Sequence, residues 1–580
     1  MIAVSTSPPN LSMLRKFNVW YSVADGNFND PSIWISNGKK KHNYPQAGDD
    51  VYINFNHKVT IDTNTYSVKN IYVYGYLIFS YSVNSALSVM GNIYAPGVVD
   101  MGGTTQATLK LYGFSNYINK YNFINPGIST IIEYSGLNDQ DILDLPYVGL
   151  TVSGAGYKNV NYSLTVSGPF QLEGSVNFFN KYISNTLIFN GNISLNGSDA
   201  KFASFDNTVN ATIEIRGNIE SDLRHNKILF GTGILYWTGN NYCHIGGGTP
   251  YYNYNTMIIK SGKTFTIYPD PSPFVCYGSI NGEDPTSTFN VSGGFYQATN
   301  IEPMATAGVY NYNYGGTSNL GYIFNGDYTL PHTNYHRLEI QGTGTKSLSG
   351  DTIIGEILNL NGDSLDLGNY AITVTSTANI SGIIKKETSS TGLILFKGQL
   401  VGNAGSARFT VPGTLIEFQN GATWDIRNFS LIAVGGTTFK FTTRSQTLEV
   451  GGGTGLRIGA DILISGPITI TNQNQGFGIL GVLNGDNILS KFLNTKFFDY
   501  QNLQAPMLTG ILDSGSTDTT SCLFQYSLNG NQNITAGIYS NLTLSNGGSK
   551  KLLGDVSVLN TYNLNSPATL DTNGYSITNP

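Results

Sequence analysis

Apolar and polar residues alternate over short stretches along most of this chain. In Leu542-Thr-Leu544, Val556-Ser-Val558 and Ile372-Thr-Val374 every second residue is apolar, which is the period of a β-strand with one buried face. Such runs are short and end at Gly, Asn, Asp or Ser, the residue types that form turns. No stretch carries a sustained helical period with a cap. The pattern therefore predicts an all-β protein made of short strands and turns.

One line of this pattern occurs twice, at Tyr335–Thr373 and again at Tyr539–Thr578. At an offset of 204, the positions Tyr335, Leu338, Ile340, Gly344, Lys346, Leu348, Gly350, Asp351 and Leu360 match Tyr539, Leu542, Leu544, Gly548, Lys550, Leu552, Gly554, Asp555 and Leu564. An earlier half of the unit appears at 131–154 and returns at 523–546, at an offset of 392. Self-similarity of this kind indicates a chain built from copies of one structural unit.

The copies lie near 131–154, 235–259, 322–373 and 523–578, at irregular spacing, which indicates inserted loops between them. We predict a right-handed parallel β-solenoid over residues 101–580, in which each copy contributes one or two turns of the coil. A small β module precedes it. The alternative is a string of small β-sandwich domains, which four irregularly placed copies also describe.

The N-terminal part has two sections. Residues 1–22, with the pair Pro8-Pro9, read as an extended arm and a candidate anchor to a larger particle. Residues 23–100 carry an ordered set of landmarks, which are Gly26-x-Phe28-x-Asp30, Trp34, Pro45-x-x-Gly48-Asp49, Val51-x-Ile53 and His57-x-Val59-Thr60-Ile61-Asp62. This order resembles the G8 domain, a module that precedes right-handed β-solenoids in many large extracellular proteins.

The repeated line also carries a resemblance. Its pattern, Tyr-x-Asn-Leu-x-Leu-x-Gly-x-Gly-x-Lys-x-Leu-x-Gly, is similar to strand repeats of Bacteroidetes surface proteins and of the phages, crAss-like phages among them, that infect these bacteria. The resemblance implies a tail fibre or tailspike, and proteins of that class are usually homotrimers. These motifs are distinctive for the coil and much less specific for its activity.

The composition and charge of the chain indicate which partners and sites to expect. Charged residues make up 12% of the chain, about half of the usual share, whereas it holds 68 Gly and 37 Tyr. The net charge of −6 comes without a basic face, so we expect no nucleic-acid partner. There is no apolar span long enough for a membrane helix and no secretory signal, so we expect no membrane insertion. Three cysteines without metal spacing predict neither a disulfide framework nor a metal site.

Candidates for catalysis are few. A glycosidase needs two facing carboxylates, and the sets available are Glu356, Asp363 and Asp366, and Asp139, Asp141 and Asp144. Asp366 has a counterpart, Asp571, in the repeated line, which favours a turn role. We likewise interpret His57, Asp49 and Asp50 as turn residues. We therefore assign no catalytic residue, no cofactor and no metal, while a glycoside hydrolase or lyase acting on surface polysaccharide stays open.

Tyrosines crowd the middle of the chain, among Asn and Gly, a combination typical of binding loops. We predict aromatic loops on the coil that carry the candidate binding residues Tyr242, Tyr251, Tyr252, Tyr310, Tyr312 and Tyr314. The alternative is ordinary packing between turns or between subunits.

The resemblance and the missing export signal together predict a structural virion protein, a phage tail fibre or tailspike that mediates attachment to the host cell surface. Its expected partners are other tail or portal-proximal proteins, a host surface glycan or receptor, and two further copies in a homotrimer. Its expected location is the virion tail, and it is extracellular after release. The alternatives are a polysaccharide-degrading tailspike and a secreted bacterial adhesin.

Overall fold

The computed structural model is almost entirely β-structure. Its helical segments, within the described part of the chain, are three short 3-10 turns at Pro31–Ile33, Lys120–Asn122 and Tyr314–Gly316. The structure describes the chain except for residues 1–17, 38–42, 104, 126, 128, 181–184, 197–200, 204–211, 222–226, 230–233, 240, 245–250, 254–255, 268–272, 317, 363, 387–392, 403–406, 420–422, 426–428, 433–436, 443–445, 451–456, 475–476, 515–521 and 580.

The chain forms two compact units. The N-terminal unit comprises Met1–Gly294 and Ile301–Tyr314, and the C-terminal unit comprises Phe295–Asn300 and Gly315–Pro580. Each is described by itself.

Five sheets run along the N-terminal unit. The first contains Val19–Ser22, Trp34–Ser36, Asp50–Ile53, Asn70–Val73, Ile93–Ala95 and Tyr117–Ile118. The second contains Gly26–Asn27, Lys58–Ile61, Tyr76–Phe79, Val98–Asp100 and Phe123–Ile124. The third has twelve strands, at Tyr66–Val68, Ser85–Val89, Ala107–Leu111, Thr130–Tyr134, Gly149–Val152, Phe170–Glu173, Ile193–Asn196, Ile219–Ser221, Asn241–His244, Thr264–Ile267, Thr288–Val291 and Val309–Asn311.

The other two sheets of this unit begin after residue 139. One contains Gln140–Ile142, Ala155–Val160, Ser175–Asn180, Lys201–Ala203 and Lys227–Leu229. The other contains Leu164–Val166, Thr186–Phe189, Thr212–Ile215, Ile234–Trp237, Thr256–Ile259 and Ser279–Gly282. The strands Tyr251–Asn253 and Phe274–Cys276 pair with each other.

Strand pairing shows that this unit is a parallel β-solenoid. Each strand pairs in parallel with the strand one turn later, so that Ile132 lies beside Leu150 and Ile193 lies beside Ile219. One antiparallel pair, Val19–Ser22 with Trp34–Ser36, stands at its start. Parallel pairing from turn to turn confirms the predicted solenoid, because sandwich domains are built from antiparallel sheets. The hand of the coil stays a prediction.

The C-terminal unit follows the same rule. Its strands are Asn319–Tyr322, Tyr328–Leu330, Asn334–Ile340, Thr345–Leu348, Thr352–Leu360, Ser364–Asp366, Ile372–Val374, Thr377–Ile380, Ile383–Lys385, Leu393–Phe396, Gln399–Gly402, Ala407–Thr410, Leu415–Gln419, Thr423–Asp425, Phe429–Ile432, Thr438–Thr442, Gln446–Val450, Arg457–Ile458, Asp461–Ile464, Thr469–Asn474, Phe477–Ile479, Leu483–Gly485, Lys491–Asn494, Phe497–Tyr500, Ile511–Ser514, Leu523–Tyr526, Gln532–Ile534, Gly537–Leu544, Gly548–Leu552, Val556–Leu564, Ala568–Asp571 and Ile577–Thr578. Leu358 pairs in parallel with Leu338 on the preceding turn and with Ala378 on the following turn.

The core of each unit consists of apolar side chains stacked from turn to turn. In strands such as Asp50–Ile53 and Leu393–Phe396, buried and half-exposed residues alternate. Equivalent positions on successive turns therefore meet inside the coil. Phe418 stacks between Phe396 at 5.7 Å and Phe441 at 4.9 Å, measured between ring centroids. Stacked burial of this kind lets a chain with few charges and no disulfide framework hold its fold.

The structure describes only part of the two predicted N-terminal sections. Residues 1–17 of the predicted arm lie outside the described residues, and Val19–Ser22 belongs to the first sheet. The predicted β module is present. Its sheets continue through residue 100 without interruption, since Val98–Asp100 pairs with Phe123–Ile124.

Candidate functional site

Two matching pairs of tyrosines in the repeated unit pack inside the coil. Tyr134 and Tyr147 are fully buried, and their hydroxyl oxygens lie 2.8 Å apart. The matching pair Tyr526 and Tyr539 is buried in the same way, with a hydroxyl distance of 2.9 Å. Burial raises the pKa of Tyr134 and of Tyr526 to about 12. These tyrosines therefore stay neutral and stabilise the scaffold.

The recurring lysines Lys346 and Lys550 are buried too, and so is Lys158, which lies 392 residues before Lys550. The side chains of Lys158, Lys346 and Lys550 have no exposed surface, and each ammonium group donates to backbone carbonyls at a corner of the coil. Lys346 Nζ contacts the carbonyl oxygens of Phe324 at 3.2 Å and Gly326 at 2.6 Å, among others. Burial lowers the pKa of Lys158 to about 8, and it also lowers the pKa of Lys550. We call these three sites the lysine corners.

The lysine corners explain why Lys recurs in the repeated line. Lys158 Nζ donates to the carbonyl oxygens of Gly136 and Asn138, each at 2.9 Å, and to Ala155. A buried carbonyl without a hydrogen-bond partner is unfavourable, and an ammonium group can satisfy three of them at once. The recurring Lys is thus a structural residue.

The carboxylates considered for catalysis make structural contacts. Glu356 accepts two bonds from the Arg337 guanidinium, at 2.6 and 2.7 Å, and lies 3.0 Å from His336 Nε2. The Arg337 guanidinium keeps the pKa of Glu356 below its ordinary value. Asp366 accepts from the backbone of Gly368 at 2.9 Å, which confirms its turn role. Asp363 lies outside the described residues.

The second carboxylate set is similar. Asp139 accepts from the Tyr157 backbone N–H at 2.8 Å, Asp141 accepts from Asn159, and Asp144 forms an ion pair with Lys120. Each carboxylate is thus engaged by a neighbour on the same or an adjoining turn.

One arrangement looks catalytic at first sight. Ser22 Oγ lies 2.9 Å from His57 Nδ1, which is the contact of a nucleophile with its base. Ser22, however, has no exposed surface, and its Oγ also accepts from the Asn54 backbone N–H at 2.9 Å. A substrate cannot reach this hydroxyl. The pair ties two turns of the coil together, as the structural interpretation of His57 predicts.

Asp49 has a role of the same kind. Its side chain accepts from the Gln46 backbone N–H at 3.0 Å, within its own turn, and from the Trp20 indole N–H at 3.0 Å. Trp20 is fully buried. The predicted turn role is confirmed, and the indole contact adds a link to the core.

The six predicted binding tyrosines lie in two settings. The backbones of Tyr242, Tyr251, Tyr252 and Tyr310 lie in strands, and their positions are described by strand register. Tyr310 is half-buried and stacks on Phe289 with ring centroids 5.5 Å apart. Tyr312 lies in a turn, and Tyr314, in a 3-10 turn, is 47% exposed. Their binding role stays a prediction.

A different group of tyrosines forms a continuous row on the outer face of the first sheet. Strand register places Tyr21 beside Tyr52, Tyr52 beside Tyr72, Tyr72 beside Tyr94, and Tyr94 beside Tyr117. All five point away from the core, because the residues on either side of each one in its strand are buried or lie at the strand end. We call this row the tyrosine ladder.

The tyrosine ladder has two halves. Tyr52 and Tyr72 stack nearly parallel, with ring centroids 4.3 Å apart and an interplanar angle of 8°. Burial and the neighbouring Tyr72 raise the pKa of Tyr52 to about 12. Further along, Tyr94 is 44% exposed and Tyr117 is 46% exposed, and their rings are 5.2 Å apart. The second half therefore offers more aromatic surface to solvent.

Two aromatic residues at the adjoining corner widen this second half. Tyr74 contacts Tyr94 edge-on, with an interplanar angle of 64°, and Phe55 packs 5.5 Å from Tyr74. Phe55 is 73% exposed. The rings thus meet solvent at different angles. An exposed aromatic cluster on a folded domain is a candidate for an interaction site.

A polar row accompanies the tyrosine ladder. Asp50 and Asn70 lie two residues before Tyr52 and Tyr72, on the same face of their strands, and the Asn70 amide donates to Asp50 at 2.7 Å. Asn70 Oδ1 in turn accepts from the Asn92 backbone N–H at 2.8 Å. Asp50 is the one charged residue in the five ladder strands, Val19–Ser22, Asp50–Ile53, Asn70–Val73, Ile93–Ala95 and Tyr117–Ile118.

Sequence reasoning missed the tyrosine ladder, although a signal is present. Tyr52, Tyr72, Tyr94 and Tyr117 follow one another at nearly even intervals in the sequence, and each interval is one turn of the coil. A search for aromatic residues repeated at the turn period would have found them.

The fold defines a β-solenoid protein, and the first sheet of its N-terminal unit has an exposed aromatic row. Residues 35–132 match the family model of the G8 domain, so the resemblance predicted from the landmark residues is confirmed for that segment. Four of the five ladder tyrosines lie within it. The chain matches no curated protein and no solved structure.

Two further observations concern the described residues. Nowhere in the described ranges do three or more His, Cys, Asp or Glu side chains cluster as metal ligands would. None of the helical segments described is long and apolar enough to span a membrane.

Proposed function

We propose that this protein is a structural attachment protein of the phage tail fibre or tailspike class, which holds a binding surface against the host cell. The observation that carries this proposal is the tyrosine ladder, an outward-facing aromatic row on a coil whose matching tyrosine pairs and lysines are buried. Large aromatic side chains are usually buried, so a row of them left partly in solvent supports a binding role.

The structural roles of the buried side chains and of the candidate carboxylates support the proposal further. The matching Tyr pairs and the three lysines form the buried frame, and the described carboxylates among the catalytic candidates are held by structural partners. A frame of this kind suits a rigid carrier more than an enzyme. The resemblance of the repeats to those of Bacteroidetes phages supplies the class. The proposed docking arm is the part of residues 1–22 that precedes Val19, since Val19–Ser22 is a strand of the first sheet, and the proposed assembly is a homotrimer.

The decisive experiment is mass spectrometry of purified virions, combined with immunogold labelling by an antibody to this chain. We expect peptides of the protein in virions at a stoichiometry that is a multiple of three, and gold at the tail. The matched control is the lysate of uninfected host cells. Absence of the protein from virions would contradict the proposal. Secretion of the protein by uninfected cells would identify it as a bacterial adhesin.

A second assay tests for polysaccharide degradation. The purified protein is incubated with capsular polysaccharide from candidate hosts, and new reducing ends are measured. An attachment protein leaves their number unchanged, whereas a rise that is lost in Glu356→Gln would make the chain a polysaccharide-degrading tailspike. Arg337→Gln is the structural control, because it breaks the same ion pair and leaves the carboxylate in place.

A further inference from the structure

We propose that the tyrosine ladder is the binding site for one chain of an uncharged polysaccharide, which lies along the row of rings. This inference rests on the attachment role proposed above and names the ligand class and the residues that contact it. The contact centres on Tyr94 and Tyr117, with Tyr74 and Phe55 beside them.

The ring chemistry fits a sugar. A pyranose ring has an apolar C–H face, which packs against an aromatic face, and hydroxyl groups at its edge, which need hydrogen-bond partners. Tyr94 and Tyr117 provide exposed aromatic surface together with their hydroxyls. The polar row reaches Asn92, just before the strand of Tyr94, through the backbone N–H of Asn92, which donates to Asn70. Tyrosine combines both kinds of contact with little loss of conformational entropy on binding.

The charge of the ladder strands favours an uncharged ligand, and the nearby Lys120 is paired with Asp144. The five ladder strands contain no Lys, Arg or His, and their single charged residue is Asp50. Aromatic platforms that bind nucleic acids combine stacking with a positively charged groove along the backbone. The ladder strands supply no such charge, and Asp50 would repel a polyanion. A polymer of neutral sugars does not need a positively charged groove, and Asp50 does not repel it.

The shape of the site indicates a linear polymer in preference to a folded protein. Neighbouring strands of a sheet are about 4.8 Å apart, so the five tyrosines extend over roughly 19 Å in a row one residue wide. Tyr94 and Tyr117 expose roughly 100 Å² each. A stable protein–protein interface takes about 800 Å² from each partner, which is much more than this strip offers.

The test uses the full chain in affinity gel electrophoresis. The gels contain dextran, mannan, galactan or arabinoxylan as neutral polysaccharides, and heparin or alginate as charged ones. The variants are the double substitution Tyr94→Thr/Tyr117→Thr, which keeps good strand formers in place, and Tyr94→Phe/Tyr117→Phe, which keeps the rings. The matched control is Tyr157→Thr, because Tyr157 is a strand tyrosine of the same unit that is also 46% exposed.

We expect at least one neutral polysaccharide to retard the wild-type protein. The Thr double variant should bind about a hundredfold more weakly, since the loss of each ring contact corresponds to about tenfold. The Phe double variant should keep most of the binding, and Tyr157→Thr should match the wild type. Circular dichroism and thermal melting of each variant check that its fold is intact.

Several outcomes would overturn the proposal. They are retardation by none of the four neutral gels, retardation by the charged gels alone, and equal retardation of the wild type and the Thr double variant. Loss of binding in the Phe variant as large as in the Thr variant would also overturn it, because ring contact would then not be responsible.

Measuring self-association distinguishes a polysaccharide from a second copy of this chain as the ligand of the tyrosine ladder. If the Thr double variant changes the sedimentation coefficient while polysaccharide binding is unchanged, the tyrosine ladder is an interface between copies of this chain, and the proposal fails. Failure of the ligand proposal is distinct from failure of the attachment role, since the latter is decided by the presence of the protein in virions.

Discussion

Two corners of the molecule, one in each unit, are built from the same buried residues although they lie far apart in the sequence. The corner of the N-terminal unit contains the pair Tyr134 and Tyr147 and the buried Lys158. The corner of the C-terminal unit repeats this arrangement with Tyr526, Tyr539 and Lys550.

The exposed positions of the two corners differ. Tyr157, which is 46% exposed, corresponds to Ser549, and Leu137, which is 77% exposed, corresponds to Asn529. The side chains that are free to vary are those that meet solvent. The comparison teaches that recurrence in this sequence marks the frame, so function is better sought at exposed positions outside the repeat, as in the tyrosine ladder.

The largest expected effect comes from the lysine corners. Lys550→Met and Lys158→Met should each destabilise the unit that carries them by about 3 kcal/mol, because buried carbonyl groups lose their donor. Hydrogen exchange of the corner amides measures the local free energy of opening. The control is Lys551→Met, a half-exposed neighbour, with an expected change under about 0.5 kcal/mol. A large destabilisation by one of these two substitutions and none by the other would contradict the structural equivalence of the two corners.

The tyrosine pairs should have a smaller effect. Tyr539→Phe removes a hydroxyl that bonds to the Thr535 carbonyl oxygen at 2.8 Å and to Tyr526 at 2.9 Å. We expect a destabilisation of about 1–2 kcal/mol, and the same for Tyr147→Phe. Urea unfolding followed by tyrosine fluorescence provides the measurement. Tyr575→Phe, at an exposed position, is the control, and equal effects in all three variants would contradict the structural role.

A pH dependence should accompany Lys158. Burial lowers its pKa to about 8, below the ordinary value of 10.5. Between these values the unfolded chain binds more protons at this side chain than the folded one, so the contribution of Lys158 to stability rises as pH increases from about 8 to 10.5. The melting temperature of the wild type should rise relative to that of Lys158→Met over this interval. A constant or falling difference would contradict the lowered pKa.

The smallest effect is expected at a position where the two corners carry different residues. Asp139 accepts from the Tyr157 backbone N–H at 2.8 Å, and Asn531 accepts from the Ser549 backbone N–H at 3.0 Å. In each side chain a single oxygen atom accepts the hydrogen bond. Asp139→Asn and Asn531→Asp should therefore each change stability by less than about 0.5 kcal/mol. A loss above about 1 kcal/mol in either variant, measured by thermal melting, would show that charge matters at this corner.

The sequence by itself determined the class of fold and much of its frame. Alternation with a period of two, turn residues at the ends of the runs and two matching lines, one of them at 335–373, are local properties of the chain. They predicted a parallel solenoid, with a string of β-sandwich domains as the alternative that strand pairing then excluded. The landmarks from Gly26 to Asp62 were equally sufficient for the G8 resemblance, because a domain signature is carried by residue order.

Only the tertiary structure decided which residues are buried partners and which form a surface. Lys158 and Lys550 look like surface residues in the sequence, since a lysine is rarely buried, and only the coil brings carbonyl groups to the ammonium. The tyrosine ladder depends on register. Tyr21 and Tyr52 are further apart in the sequence than Tyr94 and Tyr117, yet the members of each pair lie side by side on adjacent strands. Because the turn between Tyr21 and Tyr52 is longer than the others, the turn period in the sequence leads to the last four rings and only strand pairing adds Tyr21 to the row.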